Sequence, residues 1–117
     1  MHELKVETED ADGGVRIFRL TGPLILNTLF EFQDLARTNT DSAILIDLSG
    51  VPYMDSAGLG TVLGIMASCH RKGRGFGTTG VSDRLRTLFK VTGVDGLIPT
   101  FESAETAQRT LSKTTSA

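Results

Sequence analysis

Polar and apolar residues alternate in residues 3–8, near the N-terminus, and residues 15–20 follow as a second short segment rich in apolar residues. Alternation with a period of two is typical of a strand that has one buried face. Residues 9–14 separate the two segments. They are rich in acidic residues and end in two glycines, which tolerate the positive backbone angles of a tight turn. The pattern predicts a β-hairpin at the start of the chain.

Four later segments place apolar residues at helical spacing. The first helix is expected to run from a cap at Asn27 to about Arg37, and Ser82 and Ser103 are expected to cap the third and fourth helices. The second helix would begin at residues 55–56. The predicted inner faces of the first two helices are Leu29, Phe32, Leu35 and Ala36, and then Leu59, Val62, Leu63, Met66 and Cys69.

Three apolar segments between the helices are expected to be strands. Residues 43–48 are almost continuously apolar, which indicates a strand buried on both faces at the centre of a parallel sheet. Residues 76–80 give a weaker prediction, because two glycines flank two threonines where a core strand would offer larger apolar side chains. Residues 97–101 are expected at a sheet edge, where Pro99 is tolerated.

The predicted elements follow the order ββαβαβαβα. Strands that alternate with helices indicate parallel neighbours joined by crossovers, and the hairpin adds an antiparallel pair. We therefore expect an α/β fold with a mixed, mostly parallel sheet and helices packed against it. Residues 1–117 would form a single domain, with an ordered core from about 3 to 112.

The charges of this 117-residue chain are unevenly distributed. The net charge of −2 gives no reason to expect nucleic acid as a partner. Residues 1–55 have ten acids and four bases, whereas residues 56–117 have four acids and eight bases. Six of those bases form either solvated helix faces or a contact patch for an acidic partner. They are Arg71, Lys72, Arg74, Arg84, Arg86 and Lys90.

The sequence also gives expectations about compartment and cofactors. The single cysteine, Cys69, excludes an internal disulfide and fits a reducing cytoplasm, and its apolar helical neighbours indicate a buried thiol. Neither His2 nor His70 belongs to a cluster of metal-ligand type, so both are expected at the surface and no cofactor is expected. No apolar run approaches the roughly 20 residues of a membrane span, so no membrane insertion is expected.

The segment "YMDSAGLG", residues 53–60, stands where an apolar strand ends and a helix begins. Loops that follow parallel strands gather at one edge of such a sheet, so residues 22–27, 50–56 and 80–82 are expected to meet there. Asp55 or Ser56 can cap the helix.

Glycines follow the predicted cap at Gly58, Gly60 and Gly64. A glycine inside a helix is less favourable than alanine by roughly 1 kcal/mol, so their presence needs a reason. They allow either the close approach of another surface or the relief of crowding between the helix and the sheet.

Two enzyme interpretations of Ser56 conflict with the sequence. A nucleophile elbow has glycine two residues before the serine, where this chain has Met54, and no histidine is placed as its base. A phosphate-binding loop needs the G-x-x-x-x-G-K-[ST] pattern, which is missing. A phosphate attached to Ser56 would suit a helix N-terminus, whereas Asp55 and a partner surface matched to a neutral patch would repel it. This chemistry favours a non-enzymatic, phosphorylation-controlled interaction module.

The segments "ILIDLSGVPYMDSAGLGTVLG" and "SDRLRTLFKVTGVDGLIPTFESAETA" resemble the STAS family, the anti-sigma factor antagonists. The resemblance covers nearly the whole chain and implies a STAS fold. It also implies that an anti-sigma factor with serine kinase activity phosphorylates Ser56. The unphosphorylated protein would bind that kinase and free a sigma factor, and a separate phosphatase would reset the switch. A cytoplasmic monomer is expected.

The resemblance and the gathering of the loops define two groups of site residues. The switch site is Ser56 with Asp55, Ala57, Gly58, Leu59 and Gly60. The expected partner-binding residues are Pro23, Leu24, Ile25, Asn27, Thr28, Val81 and Ser82.

The chain departs from the family pattern at two places. Ala57 stands where the family often has serine or threonine, which leaves Ser56 as the only hydroxyl of the motif. Pro23 and Ile25 replace an acidic residue and an aspartate, so residues 23–26 form either an exposed apolar patch for a protein partner or part of the core. Two alternative functions stay open: a sensor of a nucleotide or another small ligand, and a constitutive STAS subunit of a membrane transport or lipid-trafficking complex.

Overall fold

A computed structural model describes residues 3–38 and 41–112, and it confirms the predicted order ββαβαβαβα. The predicted surface position of His2 lies outside the described residues. The strands are β1 Lys5–Ala11, β2 Val15–Thr21, β3 Ala43–Gly50, β4 Phe76–Thr79 and β5 Thr100–Phe101. The helices are α1 Phe30–Arg37, α2 Ser56–Arg71, α3 Asp83–Val91 and α4 Ala104–Leu111.

The five strands form one mixed sheet in the order β1-β2-β3-β4-β5. β1 and β2 are antiparallel, and every other neighbouring pair is parallel. The hairpin between β1 and β2 turns at Gly13 and Gly14, whose φ angles of 83° and 77° only glycine adopts readily. The predicted hairpin and the predicted mostly parallel sheet are both confirmed.

The central strand β3 is buried on both faces, as its continuous apolar sequence predicts. Ile44, Ile46 and Leu48 belong to the larger core cluster, which also contains buried residues of α1, α2 and α3. Ala43 and Leu45 belong to a smaller cluster with Ala107 of α4. Three helices therefore cover one face of the sheet and α4 covers the other. This arrangement packs α2 against one face of the sheet.

The strand predicted over residues 76–80 is confirmed as β4, and all four of its residues are buried despite its content of glycine and threonine. The hydroxyls of Thr78 and Thr79 donate hydrogen bonds to the carbonyl oxygens of Pro99 and Phe101, at 2.9 and 3.0 Å. A Cβ at Gly77 would lie 2.5 Å from the Phe101 ring. The strand thus satisfies its polar groups within the sheet, and its glycine leaves room for an aromatic ring.

The start of α1 differs from the prediction that Asn27 caps it. The helix begins at Phe30, and its N-cap residue, Leu29, makes no side-chain capping bond. The Ile25 carbonyl instead accepts hydrogen bonds from the backbone N–H groups of Thr28 and Leu29. A turn therefore leads into the helix, and Asn27 lies in that turn with its side chain exposed.

Two further expectations have clear outcomes. Leu35 was assigned to the inner face of α1 but is 36% exposed, so it lies at the rim of the helix contact. Cys69 is buried as predicted, and this burial raises the pKa of its thiol.

Within residues 3–38 and 41–112, no helix combines the length and the apolar character that crossing a membrane requires.

Candidate functional site

The loops after β2 and β3 run side by side at one edge of the sheet. The backbone N–H of Gly22 donates to the Gly50 carbonyl at 2.9 Å, and the N–H of Leu24 donates to the Tyr53 carbonyl at 3.1 Å. Leu24 and Met54 then form an isolated parallel bridge. The predicted meeting of these two loops is confirmed, and it places the chain before α1 directly beside the start of α2.

The third loop, residues 80–82, joins the same edge through Gly80. This glycine has a φ of +73°, and a Cβ on it would lie 2.6 Å from the backbone nitrogen of Ser49. Ser82 is exposed and caps α3 as predicted, because its hydroxyl accepts from the Leu85 N–H at 3.2 Å. Val81 is half-buried between them. The close contact at Gly80 therefore fixes this loop against the end of β3.

Asp55 connects the start of α2 to the neighbouring loop. Its Oδ1 accepts from the Gly58 N–H at 2.8 Å, the geometry of an N-cap. Its Oδ2 accepts from the Leu26 N–H at 3.0 Å. The Gly58 N–H holds the pKa of Asp55 below its ordinary value, so the carboxylate is ionised at neutral pH. Of the two residues predicted as possible caps, Asp55 has this role.

Ser56 is the first residue of α2, and its side chain is exposed. Asp55 makes the capping bond, so the Ser56 hydroxyl is not needed to start the helix. Within the described part of the chain, no hydrogen bond holds this hydroxyl. Ala57 is half-buried beside it, and Leu59 is buried in the core. The site thus presents one serine hydroxyl to solvent at a well-anchored helix N-terminus.

The glycines of α2 fall into two groups. A Cβ on Gly58 would lie 2.0 Å from the Leu24 carbonyl oxygen, so the contact between α2 and the neighbouring loop requires glycine there. A Cβ on Gly60 or Gly64 would meet nothing within 4 Å. Relief of crowding therefore explains Gly58. The same explanation is wrong for Gly60 and Gly64, which face outward.

Two of the predicted partner-binding residues are unavailable to a partner, because the loop turns them inward. Pro23 is buried, and the Leu24 side chain is 0% exposed in the main core. The backbone N–H and carbonyl of Leu24 contact residues 53–58, and the Pro23 carbonyl accepts from the Thr28 hydroxyl. Pro23 and Leu24 thus support the site from within, which corrects their assignment to the contact surface.

The rest of that loop is ordered by Thr28. Its hydroxyl donates to the Pro23 carbonyl at 2.8 Å, and its oxygen accepts from the Ile25 N–H at 3.1 Å. Thr28 and Ile25 are both half-buried, whereas Asn27 is exposed. Of the predicted residues in this loop, Asn27 presents the most accessible side chain.

Two apolar side chains beside the site are exposed, Leu26 and Phe30. The sequence placed Leu26 in the possible apolar patch of residues 23–26, whereas Phe30 was not assigned to the site. They are 55% and 57% exposed. Leu26 is held to Asp55 through its backbone N–H. Phe30 lies off the inner stripe of α1, and an aromatic residue outside such a stripe is the signal that could have identified it. The apolar loop is therefore divided, with Leu24 in the core and Leu26 outside.

A cleft of about 540 Å³ lies beside the site, between the loop before α2 and the helix α3. Tyr53 and Arg84 line it, and the Arg84 guanidinium stacks 5.7 Å from the centre of the Tyr53 ring. Val91 leaves an apolar side chain exposed at the same cleft. The cation–π contact connects the loop before α2 to α3. No group of residues in the described part of the chain is arranged to hold a metal ion.

Comparisons with known proteins agree with this fold. Residues 6–107 match the family model of the STAS domain. An anti-sigma-B factor antagonist from Staphylococcus aureus (strain NCTC 8325 / PS 47) is 30% identical over 105 residues, which cover 87% of this chain and 96% of that protein. The chain belongs to the STAS-domain family of anti-sigma factor antagonists.

Solved structures show the same fold. An anti-sigma factor antagonist from Mycobacterium paratuberculosis superposes with a TM-score of 0.81 at 22% identity, over 92% of this chain and 93% of that chain. The Bacillus cell fate determinant SpoIIAA in the phosphorylated form superposes with a TM-score of 0.71 at 20% identity, over 91% and 99% of the two chains. The STAS fold implied by the sequence is confirmed.

Proposed function

We propose that this chain is an anti-sigma factor antagonist controlled by phosphorylation of Ser56. The unphosphorylated form binds an anti-sigma factor that is also a serine kinase, and this binding releases a sigma factor. Phosphorylation of Ser56 ends the binding, and a phosphatase restores it. The observation that supports the proposal most is the exposed Ser56 hydroxyl at the first position of a helix that another residue caps. The relative and the solved structure that are named anti-sigma factor antagonists support the antagonist function.

A phosphate on Ser56 is compatible with the fold. The helix dipole favours negative charge at an N-terminus, and the cap made by Asp55 does not involve the Ser56 side chain. The phosphate adds about −1.5 to −2 charge units at neutral pH, directly beside the ionised Asp55 carboxylate. Two exposed apolar residues belong to the neighbouring segment: Leu26, whose backbone N–H bonds to Asp55, and Phe30 at the start of α1. A partner packed on these residues would have to bury the new charge, which is unfavourable.

The same geometry argues against hydrolytic catalysis by Ser56. Both oxygens of Asp55 accept backbone N–H groups, and its lowered pKa makes it a weak base. His70 is fourteen residues further along α2, which corresponds to about 21 Å of helix. We infer that Ser56 is a site of modification and that the chain acts through binding.

The contact surface that we propose differs from the one expected from sequence. It consists of Ser56, Asn27, Leu26 and Phe30, with the α3 cap at Ser82 at its border. Leu26 and Phe30 supply apolar contact area beside the loop in which Pro23 and Ile25 replace the acidic residues of the family pattern. Exposed apolar side chains grouped in this way are typical of a protein interaction site.

The proposal is tested by incubating the chain with its cognate kinase and ATP and mapping the phosphate by mass spectrometry. We expect phosphate on Ser56 and none in the Ser56→Ala variant. Ser56→Ala should bind the kinase constitutively, whereas Ser56→Asp should weaken binding by at least about tenfold because it introduces charge into the interface. Both variants should keep the wild-type fold.

Thr110→Asp is the matched control, because it adds the same charge at an exposed position of α4, on the opposite face of the sheet. It should leave binding unchanged. Wild-type affinity of Ser56→Asp for the kinase would contradict the proposed switch, as would phosphorylation at another residue only.

A further inference from the structure

A second surface of α2 has no role in the switch described above. A groove of about 450 Å³ lies between α1 and α2. Gly60 and Gly64 form part of its wall, and Arg37, Arg71, Lys72 and Arg74 also line it. None of the described residues that line the groove is acidic. The groove therefore combines a bare helix surface with a basic end.

The two glycines of this groove have no explanation inside the fold. Neither has a positive φ angle, and a Cβ on either would meet nothing within 4 Å. Each makes the helix less favourable than alanine would, by roughly 1 kcal/mol. A bare helix surface lets the backbone or side chains of another molecule approach closely. Gly60 and Gly64 thus indicate contact with a molecule outside this chain.

The basic residues at the end of α2 differ in their availability. Arg37 forms an ion pair with Asp34, and Arg74 donates to the Ser42 carbonyl. Arg71 and Lys72 are exposed, and within the described residues neither forms an ion pair. These two side chains are therefore available to an acidic group from outside.

The positive charges at the C-terminal end of α2 also act on Cys69, which lines the groove. Burial raises the pKa of the Cys69 thiol, while the positive charges of Arg74 and Lys72 act in the opposite direction on the same group. Both cations are therefore close enough to Cys69 to favour a negative charge there. A carboxylate entering the groove would meet the same positive field.

The groove begins about one helical turn from the proposed switch, because Gly60 lines it and stands four residues after Ser56. Ser56, Gly60, Gly64 and Ser68 are spaced four residues apart, which places them in one row along α2. The helix has 16 residues and is about 24 Å long, and Arg71 and Lys72 lie at its far end. A protein bound at Ser56 can therefore extend along the row to these two cations.

We propose that the row from Ser56 to Lys72 is a docking surface for the protein partner that recognises Ser56, and that an acidic segment of that partner occupies the α1–α2 groove. This inference rests on the proposed function. A second copy of this chain fits the groove less well, because Glu7, Glu9 and Asp10 of its acidic hairpin already form ion pairs with neighbouring bases. The row of small residues lets the partner approach α2 closely, and the basic residues at its end attract the acidic segment and so fix its orientation.

The first test reverses the two available charges in the full chain, with Arg71→Glu and Lys72→Glu combined. We expect binding to the kinase at low salt to weaken by about tenfold, and the dependence of log Kd on log salt to become less steep. The control combines Lys5→Glu with Arg109→Glu, which changes the net charge equally on β1 and α4. This control should bind with an affinity within about twofold of wild type.

The second test fills the groove with Gly64→Gln. The open space around Gly64 accepts the side chain, so the variant should unfold at a temperature at least equal to that of wild type. It should nevertheless bind the kinase several-fold more weakly. Phosphorylation of Ser56 at saturating kinase should persist in both groove variants, because neither changes the start of α2.

The outcomes separate the inference from the proposed function. If wild type binds the kinase and Ser56→Asp weakens binding, but the two groove variants keep wild-type affinity and salt dependence, the groove proposal alone is wrong. If wild type does not bind the kinase, both proposals fail. A dimer of the chain alone, detected by light scattering and abolished by the charge reversal, would assign the groove to a second copy and overturn the inference.

Discussion

The inner and outer surfaces of α2 use the same residue type for different reasons. Gly58 lies on the inner surface, where the Leu24 carbonyl oxygen occupies the space that a side chain would need. Gly60 and Gly64 lie on the outer surface, where that space is empty. Folding requires the first glycine and does not require the other two. The sequence alone does not distinguish these three glycines.

This difference separates residues that build the site from residues that can contact a partner. The inner surface anchors α2 through Gly58 and buried side chains such as Leu59 and Val62. The outer surface presents Ser56 and the row that follows it. Asp55 lies between the two, because one carboxylate holds both the helix start and the loop that presents Leu26. Substitutions on the two surfaces should therefore have opposite effects on stability.

Gly58→Ala should have the largest effect on stability. Its Cβ would lie 2.0 Å from a backbone oxygen, so either the loop or the helix must move. We expect the free energy of unfolding in urea to fall by about 2–3 kcal/mol. A Gly58→Ala variant as stable as wild type would mean that the loop adjusts freely, and the distinction between the two surfaces would be lost.

Asp55→Ala should have an intermediate effect, because it removes the cap of α2 and the bond to Leu26 together. The free energy of unfolding should fall by about 1–2 kcal/mol. Asp55→Asn keeps a side chain that caps helices well and removes only the charge, so it should lose less. An equal loss in both variants would show that the charge, and not the hydrogen bonds, is responsible.

The charge of Asp55 can be tested through pH. The pKa of its carboxyl is held below the ordinary value of 3.8 by the Gly58 N–H, so the ionised form stabilises the fold. This contribution is fully present above the ordinary pKa and is lost as the pH falls through the lowered pKa. The stability advantage of wild type over Asp55→Asn should therefore shrink in acid. An advantage that does not change across that range would contradict the lowered pKa.

Local signals predicted much of the fold. Ser82 and Ser103 cap their helices as expected, because a capping side chain needs only the first turn that follows it. The β4 strand could not be judged in this way, since its threonines bond to the carbonyls of Pro99 and Phe101, more than 20 residues away. Asn27 failed as a cap because it lies inside a turn that starts at Ile25 and leads into the helix. A local sequence pattern therefore predicts a structure correctly where the hydrogen-bonding groups are close together in the sequence.

The site follows the same rule. The positions of Ser56 and Asp55 could be predicted, because a strand end and a helix start are both visible in the sequence. The division of the apolar loop could not be predicted, since Leu24 and Leu26 differ only in which side of the chain faces the core. The separate roles of Gly58 and Gly60 depend on where the Leu24 carbonyl lies. That position depends on the tertiary packing of two loops.

Gly60→Ala should have the smallest effect, and in the opposite direction to Gly58→Ala. Its new methyl group meets no neighbour within 4 Å, so only the intrinsic helix preference changes. The free energy of unfolding should rise by at most about 1 kcal/mol. The same urea titration measures both variants, so each serves as the control for the other. A loss of stability in Gly60→Ala would show that the outer surface also packs within the fold, and its assignment to a partner would then lose its physical basis.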